Sequence, residues 1–444
     1  MSATNQTSRR EFLKKSSLLA AGAAAAGGLQ LGIARSAHAA GSDVLKAALI
    51  GCGGRGNGAI GDCLAADEGV KVVAVADAFE DSAARAAERL RKQYGARADI
   101  PAERVFSGLD AYQKAIDSGI DLVVTATPPG FRPQVYAAAI KAGKHIFMEK
   151  PCCVDAAGYR TLMEANKAAD EKGLKVGVGF QRRHTPGYQE NVKRLHDGAI
   201  GKILFLRAYW NGSGIWNRKR EEGMTEMQYQ VKNWYHFCWL SGDNICEQHI
   251  HNLDICNWVM NDHPVEANGM GACTLRYTGA NKGTGQIFDQ HFVEFTYADG
   301  TKMYSQCRHM PGCFGSVSEA AHGAKGTSTC SGSITGENAW KFDGKAAKGG
   351  KAGKSSMVQE HMDLIAAIRA GEKYNESWHG ASSSMTAVLG RMATYSGKAV
   401  KWDDAVKQGG TEFPATLAWD AKAPVEKGPD GQYPIPVPGV FKAY

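Results

Sequence analysis

Two histidines and three acidic residues lie close together between Asp243 and Asp254. If residues 245–258 form one helix, Glu247, His251 and Asp254 share a face, because their spacing is i, i+4 and i+7, and His249 points sideways. A histidine held by a carboxylate is suited to acid–base work, because its pKa lies near neutrality. The segment therefore predicts an acid–base centre that could oxidise an alcohol.

Two other interpretations of this segment stay open. Cys246, Glu247, His249, His251 and Cys256 are all residue types that bind zinc. However, the HExxH arrangement is absent, and a helix would spread these groups around its circumference. We therefore predict no metal site. A purely structural role for both histidines is the second alternative.

A glycine-rich turn lies far upstream of the acid–base segment. Leu45 to Ile50 is an apolar run typical of a buried strand, and Gly51-Cys52-Gly53-Gly54-Arg55-Gly56 follows it. A helical stretch extends from this turn to Ala66. Such glycines let the backbone approach a pyrophosphate, and the helix N-terminus attracts its charge. Gly51, Gly53, Arg55 and Gly56 are therefore predicted cofactor-binding residues.

Asp77 follows the second predicted strand, Val70 to Ala76. An acidic residue at this position accepts hydrogen bonds from the adenosine ribose. It would repel a 2′-phosphate, so we predict NAD rather than NADP, although Arg55 could still bind that phosphate.

The alternation of strands and helices continues to residue 180 and predicts a doubly wound parallel sheet. Further helices are predicted at 82–94, 109–118, 133–142 and 156–172, and strands at 121–126, 145–148 and 176–180. Ligands bind at the carboxyl ends of such strands. The residues predicted there for the cofactor are Thr127, Pro128, Glu149, Lys150 and Gln181. Lys150 could also hydrogen-bond a substrate hydroxyl, and a surface lysine paired with Glu149 is the alternative.

Residues 181–405 predict a second, α+β domain. Strands are predicted at 201–210, 264–277, 285–297 and 301–309, helices at 357–370 and 382–396, and a loop at 341–355. Consecutive strands without helices between them imply a largely antiparallel sheet with one open face. The whole chain is thus predicted to be α/β, with an N-terminal Rossmann domain at 40–180 and a surface-wrapping tail at 406–444.

Residues 211–240 form a long polar segment with several aromatic residues, which suits a carbohydrate whose C–H faces pack on rings while its hydroxyls need polar partners. For any single ring, a place in the core is the simpler interpretation. The residues predicted for substrate binding are Arg182, Trp234, His236, His249 and Asp254.

The N-terminus predicts a twin-arginine signal peptide at 1–39. Arg9-Arg10-Glu11-Phe12 is followed by an apolar run and by Ala37-His38-Ala39, a cleavage pattern. We therefore expect export by the Tat machinery to the periplasm or beyond. No later apolar stretch is long enough for a membrane span after cleavage.

The charge and the cysteines set further limits. Residues 1–39 hold five Arg/Lys and one Glu, so they carry +4 of the net charge of +7 and leave +3 for the remainder. That small excess gives no reason to expect a nucleic-acid partner. The eleven cysteines are an odd number, and folding before export lowers the expectation of disulfides, with a bridge among Cys307, Cys313 and Cys330 left open.

These motifs together resemble the Gfo/Idh/MocA family of sugar and inositol oxidoreductases over residues 44–405. The similarity rests on the glycine turn with Asp77, Thr127-Pro128-Pro129, Glu149-Lys150-Pro151, Gln181-Arg182-Arg183, Glu247 to Asp254, Gln359-Glu360-His361 and Ala387 to Trp402. The resemblance implies that Lys150 binds the reacting hydroxyl, that His251 takes its proton, and that the protein is a homo-oligomer. Glu247 stands where many members have aspartate, and no role is carried over to residues 130–132.

Export adds a constraint, because no free NAD pool is expected in the periplasm. Three solutions are physically available. Oxidation of one sugar can be coupled to reduction of another with NAD kept bound, or a glycoside can be oxidised, cleaved and reduced again in a redox-neutral cycle, as the resemblance to glucose–fructose oxidoreductases and NAD-dependent glycosidases of this family implies. The third solution is transfer of electrons to another acceptor. A non-catalytic sugar-binding protein is the remaining alternative.

Overall fold

A computed structural model describes residues 44–275, 282–344 and 355–444. The predicted signal peptide, most of the predicted loop at 341–355 and the end of the strand predicted at 264–277 lie outside the described residues. The compact unit from Leu45 to Tyr444 contains two sheets.

Six parallel strands form the first sheet, in the order β3-β2-β1-β4-β5-β6. They are β1 (Leu45–Ile50), β2 (Val70–Asp77), β3 (Val105–Ser107), β4 (Leu122–Thr125), β5 (His145–Met148) and β6 (Val176–Val178). The helices that follow these strands are α1 (Gly54–Ala66), α2 (Glu80–Tyr94), α3 (Ala111–Ile116), α4 (Arg132–Lys141) and α5 (Ala156–Glu171). The order reverses beside β1, which creates the crevice where such sheets bind ligands. The predicted Rossmann sheet is confirmed.

Buried apolar strands explain this first sheet. Every residue of β4 is buried, and β1 exposes only Lys46. Parallel strands covered by helices on both faces need such continuous apolar runs. Helix α2 shows the complementary pattern: its alanines and Leu90 face the sheet, while Glu80 and Asp81 in its first turn favour the positive helix end.

Nine strands form the second sheet, in the order β14-β13-β12-β11-β7-β10-β9-β8-β15. They are β7 (Ile203–Gly212), β8 (Glu266–Ala272), β9 (Gln290–Thr296), β10 (Lys302–His309), β11 (Ser316–Gly323), β12 (Gly326–Ser328), β13 (Ser333–Gly336), β14 (Trp340–Lys341) and β15 (Val400–Lys401). Only the β7–β10 pair is parallel. The predicted antiparallel sheet is therefore confirmed, but β11 to β15 were not predicted.

The helices of the second part are α6 (Pro186–His196), α7 (Glu226–Lys232), α8 (Cys238–Ser241), α9 (Asn244–Glu247), α10 (Ile250–Met260), α11 (Ser356–Ala370), α12 (Ser377–Ser396) and α13 (Trp402–Gln408). Helices α10 and α12 cover one face of the second sheet and share its core. On the other face, Met270 of β8 lies opposite Phe292 of β9, and these side chains are 74% and 41% exposed. The second sheet thus has the predicted open face.

The predicted single helix over 245–258 is wrong, because the chain breaks between α9 and α10. The N–H of His249 donates to the carbonyl of Asn244 at 3.1 Å, five residues earlier, which is a wider turn than an α-helix makes. The break changes the relative direction of side chains before and after it. It therefore separates Glu247 from the residues that a regular helix would align with it.

Helix α11 lies in the predicted second domain but packs on the first sheet. Its Leu364, Ile365 and Ile368 are buried in the core that β1 and α1 form. The chain therefore returns to the nucleotide-binding part between β14 and β15 of the second sheet. The predicted boundaries at 180 and 405 stay predictions.

Candidate active site

The three glycines Gly51, Gly53 and Gly56 of the turn have different surroundings. Gly51 has φ +90°, and a Cβ there would lie 2.6 Å from the backbone N of Thr127. A Cβ on Gly56 would lie 1.9 Å from the carbonyl oxygen of Gly51, so only glycine lets α1 pack this close to β1. A Cβ on Gly53 would meet nothing within 4 Å. Gly53 thus borders open space, where a ligand can approach the backbone.

A cavity of about 560 Å³ lies at this turn. Five predicted cofactor residues line it together: Gly51, Gly53, Asp77, Thr127 and Pro128. The carboxylate of Asp77 accepts hydrogen bonds from the N–H groups of Cys52 at 2.7 Å and Phe79 at 2.9 Å. Burial raises the pKa of Asp77, although these two N–H donors oppose the rise. The glycine turn, the held acid and the cavity fit a dinucleotide.

Arg55 and Glu149 form an ion pair behind the glycine turn. Arg55 Nε donates to Glu149 Oε1 at 2.5 Å, and its Nη2 donates to Asp62 at 3.1 Å. A guanidinium engaged by two carboxylates has little left to offer a phosphate. We therefore assign Arg55 and Glu149 to the support of the turn, which corrects the predicted phosphate contact of Arg55. Gln181 begins the 3-10 turn Gln181–His184 after β6.

Lys150 joins the two halves of the molecule. It follows β5 of the first sheet, and its Nζ donates to the carbonyl oxygen of Glu247 at 2.6 Å and lies 3.3 Å from Glu247 Oε1. Its side chain is 11% exposed and that of Glu247 is 9% exposed. The alternative of a surface lysine paired with Glu149 is therefore wrong. The amine is instead held at the start of the acid–base segment.

His251 lies beside this pair, in the first turn of α10. Its pKa is lowered well below 6.5, first by burial and then by the positive charges of Lys150 and Arg182. The imidazole is therefore neutral at neutral pH and able to accept a proton. Trp210 stacks on its ring with centroids 5.9 Å apart, and Phe180 meets its ring edge-on at 6.2 Å. These two rings fix its orientation.

Glu247 is a buried acid among charges. Burial raises its pKa, and the positive charges of Lys150 and Arg132 oppose that rise. Arg132 is itself buried, and its Nη1 donates to the carbonyl oxygen of Pro151 at 2.6 Å. Arg132 was given no role from the sequence, because an arginine at a helix start carries no signal that it will be buried. Here it places a second cation beside Glu247.

Three predicted substrate residues are engaged elsewhere. Asp254 is buried and accepts two hydrogen bonds of 2.8 Å from Arg183 and one of 2.8 Å from Ser383. His249 is fully buried, and its Nε2 lies 2.7 Å from Ser305 Oγ. His236 is also fully buried, with its Nε2 2.8 Å from the carbonyl oxygen of Trp216. Burial leaves these three no surface to offer a substrate, so we assign them structural roles.

The other two predicted substrate residues lie in different places. Arg182 pairs with Glu319, and its guanidinium lies 5.9 Å from the ring centroid of Trp210. Its charge therefore lies near the ring that stacks on His251. Trp234 lines the dinucleotide cavity instead. Trp210 and Glu319 were missed: Trp210 is one of many aromatic residues at a strand end, and Glu319 lies on β11, which the sequence did not predict.

Residues 44–275, 282–344 and 355–444 contain neither a candidate metal site nor a helix able to span a membrane. Within these residues, no three side chains of His, Cys, Asp or Glu lie close enough together to hold a metal ion. None of its helices combines the length and the apolar character needed to cross a membrane. The cysteines of these residues form no disulfide, and Cys313 is exposed whereas Cys307 and Cys330 are buried.

Comparison with known proteins gives matches of two kinds. Residues 45–180 match the Gfo/Idh/MocA oxidoreductase family, NAD-binding Rossmann fold. The inositol 2-dehydrogenase of Klebsiella pneumoniae (strain 342) is 31% identical over 218 residues, which are 49% of this chain and 55% of that protein. The chain thus spans about half the length of the curated relatives it matches.

Solved structures extend the likeness to most of the chain. The aldose-aldose oxidoreductase from Caulobacter crescentus, complexed with glycerol, has a TM-score of 0.61 at 18% identity and covers 81% of this chain and 99% of its own. A levoglucosan dehydrogenase in complex with NADH has a TM-score of 0.61 at 18% identity and covers 80% and 98%. At such identities the likeness concerns the fold alone. Residues 45–180 thus match the NAD-binding Rossmann domain of the Gfo/Idh/MocA oxidoreductases, and the glycine turn and the dinucleotide cavity agree with that match.

Proposed function

We propose that this protein oxidises a secondary hydroxyl of a sugar or sugar derivative, with NAD bound tightly. One observation carries the proposal: Lys150 of the nucleotide-binding part is held at Glu247, beside the neutral imidazole of His251. A cation that can donate a hydrogen bond and a base that can accept a proton are the two groups that alcohol oxidation requires.

The residues divide the work between them. Lys150 donates a hydrogen bond to the reacting hydroxyl and favours the alkoxide that forms there. His251 accepts the hydroxyl proton on its ring, because burial and two neighbouring cations keep it neutral beforehand. NAD, when bound, supplies the acceptor for the hydride. Gly51, Gly53, Asp77, Thr127 and Pro128 would hold it.

The substrate class follows from the surroundings of His251. Trp210 offers a ring that can pack on the C–H face of a sugar, and Arg182 offers a cation beside it. Glu247 can accept a hydrogen bond from a hydroxyl next to the reacting one. The inositol 2-dehydrogenase relative acts on a ring polyol, which supports a cyclic substrate with neighbouring hydroxyls.

We further propose that the protein is exported folded, with its cofactor already inside. The twin-arginine pattern in residues 1–39 supports this proposal, and a tightly bound cofactor would meet the lack of a free NAD pool. Cell fractionation of a strain with and without a working Tat pathway tests it. Export is overturned if the mature protein stays in the cytoplasm of the Tat-competent strain.

We also propose a homo-oligomer, joined through the open face of the second sheet. Met270 and Phe292 are exposed there and lie opposite each other, and such an apolar patch favours a protein partner. Light scattering on the purified protein and on Phe292→Asp tests this. A wild-type monomer overturns the proposal.

Product analysis tests the catalytic proposal. Purified protein is incubated with free sugars, inositols and glycosides, and both the nicotinamide absorbance and the products are followed. Reduction of the nicotinamide with an oxidised sugar is the expected result. Release of an aglycone without net NADH would show a redox-neutral glycosidase instead. Sugar binding without any chemical change would identify a non-catalytic binding protein.

A further inference from the structure

The dinucleotide cavity has a second wall, which comes from outside the Rossmann domain. Arg218, Glu221, Val231, Lys232 and Trp234 line the cavity opposite the glycine turn. All five belong to residues 213–236, which connect β7 to α8 and are here called the strap. The sequence assigned this aromatic segment to a sugar, but the structure places it over the nucleotide cleft.

The second half of the strap, from Met227 to His236, is mostly buried, whereas residues 216–223 are exposed. Met227, Gln230 and Asn233 are fully buried, and Val231 is 5% exposed. The side chains of Thr225 and Gln228 cap the start of α7 reciprocally. A cavity wall that formed only a loose loop would expose most of these residues. The strap is therefore a built element of the fold, and another part of the chain must cover its outer side.

The C-terminal tail supplies that cover. Thr225 Oγ1 donates to the carbonyl oxygen of Trp419 at 2.7 Å, and Gln230 Nε2 donates to that of Val425 at 2.5 Å. Tyr433 stacks on Tyr229 with ring centroids 6.4 Å apart.

The hydroxyl of Tyr433 adds polar contacts to the stacked ring. It donates to Glu226 at 2.5 Å and accepts from Arg220 Nη2 at 3.2 Å. Residues 419–433 thus hold the strap between Arg220 and Gln230.

The same tail also reaches the Rossmann domain. Trp419 contacts Phe79 with ring centroids 5.2 Å apart, and Phe413 meets Phe131 edge-on at 5.2 Å. Phe79 is the residue whose N–H donates to the carboxylate of Asp77. One apolar cluster therefore joins the ribose-binding loop, the strap and the tail.

We propose that the strap and the tail form a latch that retains the nicotinamide dinucleotide. A cofactor in the cavity is enclosed between the glycine turn and the strap, and it leaves only when the strap lifts. The strap lifts only when its contacts with residues 419–433 break. This inference rests on the proposed function, since it gives the structural means by which an exported enzyme keeps its cofactor.

The rate at which NADH leaves the full-length protein tests the latch. The protein is loaded with NADH, mixed with excess NAD, and the loss of bound-NADH fluorescence is followed in wild type and in Trp419→Ala/Tyr433→Ala. We expect the dissociation rate constant to rise at least about tenfold in the double variant, because two aromatic contacts are lost. Phe441→Ala is the matched control: its ring contacts Tyr395 at 5.6 Å. It should change the rate by less than about twofold.

The possible outcomes separate the latch from the proposed function. Equal dissociation rates in wild type and double variant overturn the latch and leave the proposed function intact. A wild-type protein that binds neither NADH nor NAD overturns the proposed function. If circular dichroism shows that the double variant is unfolded, Trp419→Leu replaces it. A Trp419→Leu protein that is folded and releases NADH no faster than wild type overturns the latch as well.

Discussion

His249 and His251 are two residues apart, yet the structure gives them opposite surroundings. Burial lowers the pKa of both, to about 3 for His249 and well below 6.5 for His251. The side chain of His249 lies against Ser305, whereas Lys150, which is held at Glu247, lies close enough to His251 for its charge to lower the pKa of that ring. The chain break between α9 and α10 produces this difference. A lowered pKa alone therefore does not identify a catalytic histidine, because Arg182 lowers the pKa of both rings. Lys150 acts on His251 as well.

The largest effect is expected from removing the base. His251→Asn should lower kcat by about 10²- to 10⁴-fold while the protein stays folded, because it removes a general base and keeps a polar side chain of similar shape. Steady-state kinetics and thermal unfolding of the same preparation check this. Unchanged kcat in His251→Asn would remove His251 from the mechanism.

Removal of the Lys150 amine should lower activity nearly as much as removal of the base. Lys150→Ala should lower kcat/KM by about 10²- to 10³-fold, because the developing alkoxide loses its cation. Lys150→Arg is the companion variant. It keeps the positive charge but replaces the compact amine that Glu247 holds with a planar guanidinium. Full activity in both variants would contradict the proposed role of Lys150.

His249 should show the reverse pattern. His249→Ala should lower the free energy of unfolding by about 1–3 kcal/mol, because it leaves a cavity and a buried Ser305 hydroxyl without its partner. The activity per folded molecule should stay within about threefold of wild type. Denaturant titration and active-site titration measure the two quantities. A loss of activity as large as that of His251→Asn would abolish the distinction between the two histidines.

A fall in pH should lower the free energy of unfolding before it protonates the catalytic base in the folded protein. His249, His251, His361 and His379 all have pKa values lowered by burial, so the unfolded chain binds more protons than the folded one below about pH 6.5. Each should cost about 1 kcal/mol of unfolding free energy per pH unit as the pH falls from about 6.5 to 5. Urea titrations at several pH values check the slope, and a flat profile would contradict the neutral state assigned to them.

The pH dependence of stability has the opposite sign for His184. Asp363 and Glu376 accept from its ring and raise its pKa to about 10, against the effect of burial. Its stabilising contribution is therefore complete below pH 6.5 and is lost as the pH rises toward 10. The smallest expected effect is a steeper loss of stability at alkaline pH in wild type than in His184→Gln. Equal alkaline slopes would show that this histidine is not charged in the folded protein.

Much of the first sheet followed from the sequence, because its strands are continuous apolar runs that end in turn residues. β1 and β5 begin and end where predicted, and the glycine turn, Asp77 and Thr127-Pro128 do line one cavity. The second half was harder for a physical reason. Strands such as β11 are half polar, and Glu319 on it is buried only because Arg182 pairs with it across the fold.

The sequence identified the acid–base segment by its residue types but did not predict its geometry. A helix period cannot show that the His249 N–H will bond to Asn244 and break the helix. Likewise, the sequence around Arg55 does not show that Glu149 will pair with it. The sequence around Asp254 does not show that Arg183 will donate to it. The strap was misplaced because an aromatic-rich segment suits a sugar and a nucleotide cavity equally well. Pairings between distant parts of the chain determine the places of Arg55, Asp254 and the strap.

The central claim is that Lys150 and His251 act together on one substrate hydroxyl. The most direct measurement is the absorbance of protein-bound nicotinamide in a single turnover with a sugar or inositol substrate, in wild type, both single variants and the Lys150→Ala/His251→Ala double variant. The account predicts a rapid rise in wild type, a strong loss in each single variant, and a double variant scarcely slower than the worse single one. A rise that survives in the double variant at the wild-type rate would contradict it.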